Sequence, residues 1–364
     1  MIAPRCAADI TDERDAAESA EPADAAEPIE KAEATEPIEP IESAEPTEPI
    51  ESTEPRDPID STESCDQSES FEPESSASTR AVSQAARIPV VSAVGPDPEL
   101  PIAVFDSGVG GLTVLHECLV SLPEEDYVYL GDDARFPYGA KTDAELRECA
   151  ARNTAYLLDR GAKLIVIACN SAASAGLGAA RELAAQRGVD VVAVIEPEAE
   201  IAAAISESGR VGVLATPATV AGGSYLRALG AQHRELTVTQ VAAPDLAAII
   251  QRGFPFSEEV VETVRSYCAP LKRARVDTVI LGCTHYPLVR PMLQRFLGRE
   301  VRLVTAGHAL AASAQRILEA DRLATERREE GTYSFVCTGD ADAFRVLGTR
   351  FLQLPLGEVE QVEL

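Results

Sequence analysis

"KLIVIACNSAASA", Lys163 to Ala175, decides how this chain is read. Its apolar run has no polar alternation, as expected of a strand buried on both faces. The small and hydroxylated residues after Cys169 suit the start of a helix. "DTVILGCTHYPLV", Asp277 to Val289, repeats the pattern: an apolar run, a small residue, a cysteine, then small polar residues. Six more such runs lie between Pro101 and Gly307: "PIAVF" (101–105), "DYVYLG" (126–131), "VDVVAVI" (189–195), "RVGVLAT" (210–216), "ELTVTQV" (235–241) and "EVRLVTAG" (300–307). Ala/Leu-rich helical stretches separate them. This alternation predicts an α/β fold of parallel strands covered on both faces by helices.

Ligands of such sheets bind beyond the carboxyl ends of the strands, so those ends are where a site is sought. They read "FDSGVGGL" (105–112), "GDDARFPYG" (131–139), "ACNSAASA" (168–175), "EPE" (196–198), "ATPATV" (215–220), "GCTHYP" (282–287) and "TAGH" (305–308). Hydroxyls and backbone N–H groups at helix starts suit a small anion such as a carboxylate. The glycines at 108, 110 and 111 form neither G-x-G-x-x-G nor a P-loop, so no nucleotide fingerprint is present.

The net charge of −28 is unevenly spread along the 364 residues. Residues 1–98 hold 25 acidic and 6 basic side chains, and the remaining 266 hold 35 and 26. The latter segment is only mildly acidic and lacks the basic stripe that a phosphate backbone demands, which argues against nucleic acid as its ligand. From Asp9 to Glu72 every third position is Asp or Glu, 22 in all, often followed by proline as in "EPIEPIESAEPTEPIES" (36–52). Polyproline II has three residues per turn and would align those carboxylates on one edge about 9 Å apart. With little to bury, residues 1–98 are expected to be a disordered arm and linker. The arm is either a solubilising tail or a polyanion that docks on a basic protein partner. No secretory signal or membrane-spanning run is evident, so a cytoplasmic protein is the default.

The eight cysteines include no C-x-x-C pair, which speaks against a disulfide framework, a zinc ribbon and a dithiol redox centre. A lone strand-end cysteine is most often filler. Here two sit at helix starts, where thiolate is favoured, and each has a proton-handling neighbour: Asp106 ends another strand and His285 follows Cys283 by two residues. A cysteine hydrolase would leave the second thiol unexplained, and no lysine stands at a strand's carboxyl end for pyridoxal chemistry. Two separate thiols across a small-anion pocket can move protons: one takes a proton from carbon, the other returns one to the opposite face.

"AVFDSGVGGLTVL", "YLGDDARFPYGAKT", "IACNSAASA", "GVLATPATV" and "LGCTHYPLV" resemble, in order and spacing, the signature segments of bacterial glutamate racemases. The resemblance runs from about Ile102 to Gly307, with a looser helical tail, and excludes the acidic arm. It implies cofactor-independent, metal-free interconversion of L- and D-glutamate for peptidoglycan, in a cytoplasmic enzyme that is commonly a homodimer. Cys169 resembles the base for D-glutamate and Cys283 that for L-glutamate, assisted by Asp106 and His285. Asp106, Ser107, Tyr138, Gly139, Asn170, Ser171, Thr216, Thr219, Thr284 and His285 resemble substrate contacts.

The resemblance also implies two similar α/β domains related by a pseudo-twofold axis. Domain A would hold residues 99–193 plus 306–364 with Cys169, and domain B residues 194–305 with Cys283. Three departures stand out. Ser171 replaces a usual threonine, "TAGH" a usual Asp-Ser-Gly, and Gln251 a glutamate credited with acid–base support. The rival readings are a two-cysteine racemase for aspartate or another small acid, and a binding role centred on the arm.

Overall fold

A computed structural model describes residues 96–252 and 257–364, so the triplet repeat and nearly all of the expected linker lie outside the described residues. In chain order β1 (Ile102–Asp106), α1 (Leu112–Ser121), β2 (Tyr127–Gly131), α2 (Asp143–Asp159), β3 (Leu164–Ile167), α3 (Asn170–Ala185) and β4 (Asp190–Ala193) come first. The helix α4 (Ile195–Ile205) leads to β5 (Arg210–Ala215), α5 (Pro217–Ala221), α6 (Ser224–Gly230), β6 (Thr237–Ala242) and α7 (Leu246–Gln251). Then follow α8 (Glu258–Arg273), β7 (Thr278–Gly282), α9 (Arg290–Leu297) and β8 (Arg302–Val304). The tail is α10 (Gly307–Asp321), β9 (Tyr333–Cys337), α11 (Ala341–Leu352) and β10 (Val359–Gln361).

These strands form a six-stranded sheet, ordered β10-β9-β2-β1-β3-β4, and a four-stranded sheet, ordered β6-β5-β7-β8. Every neighbouring pair is parallel. All eight anticipated strands are present, and the tail expected to be only helical adds β9 and β10 to the edge of the first sheet. Their signal was weak because Tyr333 and Ser334 are exposed and β10 is three residues long. β10 is the edge strand, and β9 lies between it and β2. Among the described residues no helix is long and apolar enough to cross a membrane.

Register fixes where the strand ends fall. Phe105 pairs with Ile167, so Asp106 and Cys169 leave adjacent strands within one residue of the same level. Ala215 pairs with Gly282, which puts Thr216 beside Cys283 on the second sheet.

At the opposite end of the first sheet, buried Lys163 lies 2.5 Å from Glu125 Oε2 and also donates to the carbonyl of Pro98. The other oxygen of Glu125 accepts from Thr325 N–H at 3.0 Å, so this ion pair joins four chain segments, at 98, 125, 163 and 325. Removing one partner of a buried pair strands the other charge, at a cost of about 3–5 kcal/mol. Glu125→Ala should therefore lower stability by about that amount in urea titrations. A loss under about 1 kcal/mol would show that the Lys163 ammonium is satisfied without Glu125.

Candidate active site

Cys169 caps α3: its Sγ accepts from Ala172 N–H at 3.5 Å. Burial pushes its thiol up to about 12, with the Asp106 charge adding to the rise and the N–H groups of Ala172 and Ser107 opposing it. The helix-start stabilisation expected from sequence is thus present but outweighed by desolvation. Asp106 is fully buried at the end of β1. One carboxylate oxygen accepts from Gly108 N–H at 3.1 Å and the other from the Thr284 hydroxyl at 3.3 Å. Burial raises it to about 6 despite these donors and the N–H groups of Gly111 and Ser107.

Cys283 follows β7, and burial pushes its thiol still higher, opposed by the N–H of His285 and reinforced by the charges of Cys169, Asp106 and Glu198. His285 Nδ1 lies 3.9 Å from its Sγ. The other ring nitrogen lies 2.8 Å from Gln251 Oε1. The imidazole sits between Phe136 and Phe351, with ring centroids 5.5 and 5.2 Å away. Burial lowers its pKa to about 3, so the ring is neutral. Gly110 makes this approach possible. A Cβ there would lie 2.3 Å from Thr284 Oγ1 and 2.5 Å from His285 Nδ1.

Both thiols line one small pocket together with Ser107, Tyr138, Gly139, Asn170, Ser171, Thr216, Thr284 and His285. Asp106 stands behind this lining, and Thr219 supports it through Thr216 at 3.0 Å and Ser171 at 3.4 Å. Tyr138 presents its ring and backbone only, because its hydroxyl donates to buried Asp132 and accepts from Asn153 at 3.3 Å. The pocket encloses about 20 Å³, room for roughly one water, so an amino acid enters only if its walls part. A larger cavity of about 460 Å³ behind Cys283 shares Asn170, Cys283 and Thr284 but lacks Cys169. Proton exchange between two thiols requires the smaller one.

Sequence reasoning missed Phe136 and Phe351 around His285, Asp132 and Asn153 on Tyr138, and Glu198 and Tyr225 behind Asn170. Glu198 had a signal as part of the "EPE" that follows β4, and Asp132 and Phe136 as part of the "GDDARFPYG" that ends β2. Among the described residues no group of three or more His, Cys, Asp or Glu side chains could hold a metal ion.

A family model for Asp/Glu/Hydantoin racemase matches residues 113–314. Glutamate racemase of Mycobacterium tuberculosis is 42% identical over 266 residues, 73% of this chain and 97% of that protein. The chain belongs to the Asp/Glu/hydantoin racemase family. Crystal structures of family members superimpose on it. The glutamate racemase isoform RacE1 of Bacillus anthracis gives a TM-score of 0.69 at 32% identity, covering 73% of this chain and 98% of that one. The Francisella tularensis glutamate racemase, in complex with D-glutamate, gives 0.68 at 30% identity with the same coverage.

A thiol held near 12 ionises in proportion to hydroxide at every ordinary pH. Alkylation of Cys169 by iodoacetamide, followed peptide by peptide, should accelerate about tenfold per pH unit from pH 7 to 10. A plateau below pH 9 would contradict the burial assigned to this thiol.

Proposed function

We propose that this chain interconverts L- and D-glutamate without a cofactor, Cys283 and Cys169 acting on opposite faces of the α-carbon. The observation that carries this reading is the pair of buried thiols, one from each sheet, lining one pocket with separate proton acceptors. Asp106 serves Cys169, and His285 Nδ1, 3.9 Å from Sγ, serves Cys283. From L-glutamate, Cys283 thiolate takes the α-proton: the Cα–H bond breaks and an S–H bond forms. The Cys169 thiol then gives its proton to the other face, breaking S–H and forming the new Cα–H. From D-glutamate the roles reverse.

With a pKa near 12 and no substrate, only about one Cys169 in 10⁵ is ionised at neutral pH. The substrate's ammonium, brought into a buried pocket, favours thiolate beside it, because opposite charges attract strongly at low dielectric. Asp106, raised to about 6, and neutral His285 can each accept the displaced proton. Hydroxyls of Ser107, Ser171 and Thr216 line the pocket and can donate to the substrate's carboxylates, which would also steady charge developing on the α-carboxylate.

The same proposal includes D-glutamate supply for peptidoglycan, a cytoplasmic location and a homodimer. It also includes the two-domain division at 99–193 plus 306–364 and 194–305, with the acidic arm either a solubilising tail or a polyanion that docks on a basic partner. Deleting residues 1–98 should leave racemisation intact while abolishing any such capture.

Cys169→Ser and Cys283→Ser should each abolish racemisation, followed by circular dichroism. Each should still eliminate HCl from halogenated glutamate of one configuration, since one base suffices there. Processing of the same enantiomer by both variants would refute the two-sided assignment, and comparable wild-type rates on aspartate would refute the substrate.

Gln251 offers His285 a neutral carboxamide. Gln251→Glu would set a carboxylate there, and a nearby negative charge favours imidazolium, raising the His285 pKa. The acid limb of kcat/KM for L-glutamate should move up by about one pH unit. An unmoved limb would show that His285 does not titrate in that direction.

A further inference from the structure

Behind the pocket, three side chains from different elements form a closed cluster. Glu198, in the first turn of α4, is fully buried. Its Oε2 accepts from the hydroxyl of Tyr225, on α6, and from Asn170 Nδ2 at 3.2 Å. Asn170 Nδ2 also donates to the Tyr225 oxygen at 2.8 Å. Both amide hydrogens of Asn170 are thus used inside the protein, and its oxygen is left as an acceptor.

Glutamate carries four carboxylate acceptors but a single donor group, its α-ammonium. Hydroxyls lining the pocket can either donate or accept. Apart from His285 Nδ1, which faces Cys283 and Thr284, the carboxamide oxygen of Asn170 is the one described lining side-chain atom that can only accept. We propose that Glu198 is a positioning residue: with Tyr225 it holds the Asn170 carboxamide so that its oxygen, not its nitrogen, meets the substrate's α-ammonium. The inference rests on the glutamate reading above.

The alternative orientation is disfavoured by geometry. Turning the amide over would set its oxygen against Glu198 Oε2 and against a Tyr225 hydroxyl whose proton is already given to Glu198. Without an acceptor at 198, that proton becomes available to the Asn170 oxygen, and the flipped amide would present N–H groups to the ammonium. Glu198 Oε1 has no hydrogen-bond partner among the described residues. Burial raises this group to about 8 against the hydrogen bonds of Tyr225 and Asn170; because Oε2 already takes both donors, a proton on the carboxyl would sit on Oε1 and leave Oε2 an acceptor.

The test compares glutamate with glutarate, the same dicarboxylate without an amino group, by calorimetry on wild type, Glu198→Leu and Glu198→Gln, with Glu198→Met in reserve if the leucine variant unfolds. In Glu198→Leu the affinity for glutamate should fall about tenfold or more, while that for glutarate stays within about threefold. Glu198→Gln keeps an acceptor for both donors and should bind both within about threefold of wild type. Parallel weakening of both ligands would mark a structural role and overturn the proposal, as would unchanged glutamate binding in Glu198→Leu. Wild-type turnover is read separately: binding without racemisation would sink the proposed activity while leaving the positioning result legible.

Discussion

Where the carboxyl ends of the two sheets meet, the titratable side chains are buried, and each of them responds to that one condition. Burial is the largest cause of the raised pKa at Asp106, Cys169 and Cys283, and of the lowered one at His285. Each group is pushed toward its neutral form, as desolvation requires. At neutral pH both thiols and His285 are therefore uncharged, and Asp106, raised to about 6, is the group of the four nearest its switching point. A thiol that gives up its proton there is a stronger base than one in water, because nothing solvates the anion.

Small residues allow that closeness. Gly110 lies under Thr284 and His285, and a Cβ on Gly139 would come within 2.6 Å of Thr216. Hydroxyls then stitch α3 to the start of α5 and α6: Ser171 to Thr216 at 2.9 Å and Ser174 to Ser224 at 2.9 Å. Thr113 reaches the Thr284 carbonyl at 3.3 Å, and Thr284 reaches Asp106. Individually such bonds are worth about 1 kcal/mol, so the seam can order the site and still open for substrate. Opening is needed, given the roughly one-water volume between the thiols.

The parts legible in the sequence were those with a local physical signature. Two-sided apolar runs marked eight strands, and the cysteines at their ends, with Asp106 and His285, marked the site. What stayed hidden depends on residues brought together from far along the chain. Phe351 reaches His285 from a tail in which β9 begins on exposed residues and the edge strand β10 is three residues long. Tyr138 could be named as a site residue, but the Asp132 bond that turns its hydroxyl away could not. Nor could the thiols' protonation, because a helix start argues for thiolate and only burial, invisible to local pattern, overrules it.

Isotope exchange tests the central claim, that two thiols work from opposite faces, most directly. L-glutamate would be converted in D₂O to low extent and both enantiomers analysed for deuterium at the α-carbon. Because the thiol that delivers the new proton differs from the one that removed the old, the D-glutamate formed should be deuterated while the remaining L-glutamate keeps its protium. Product retaining the original α-hydrogen would mean a single base carries it across, and would contradict the account.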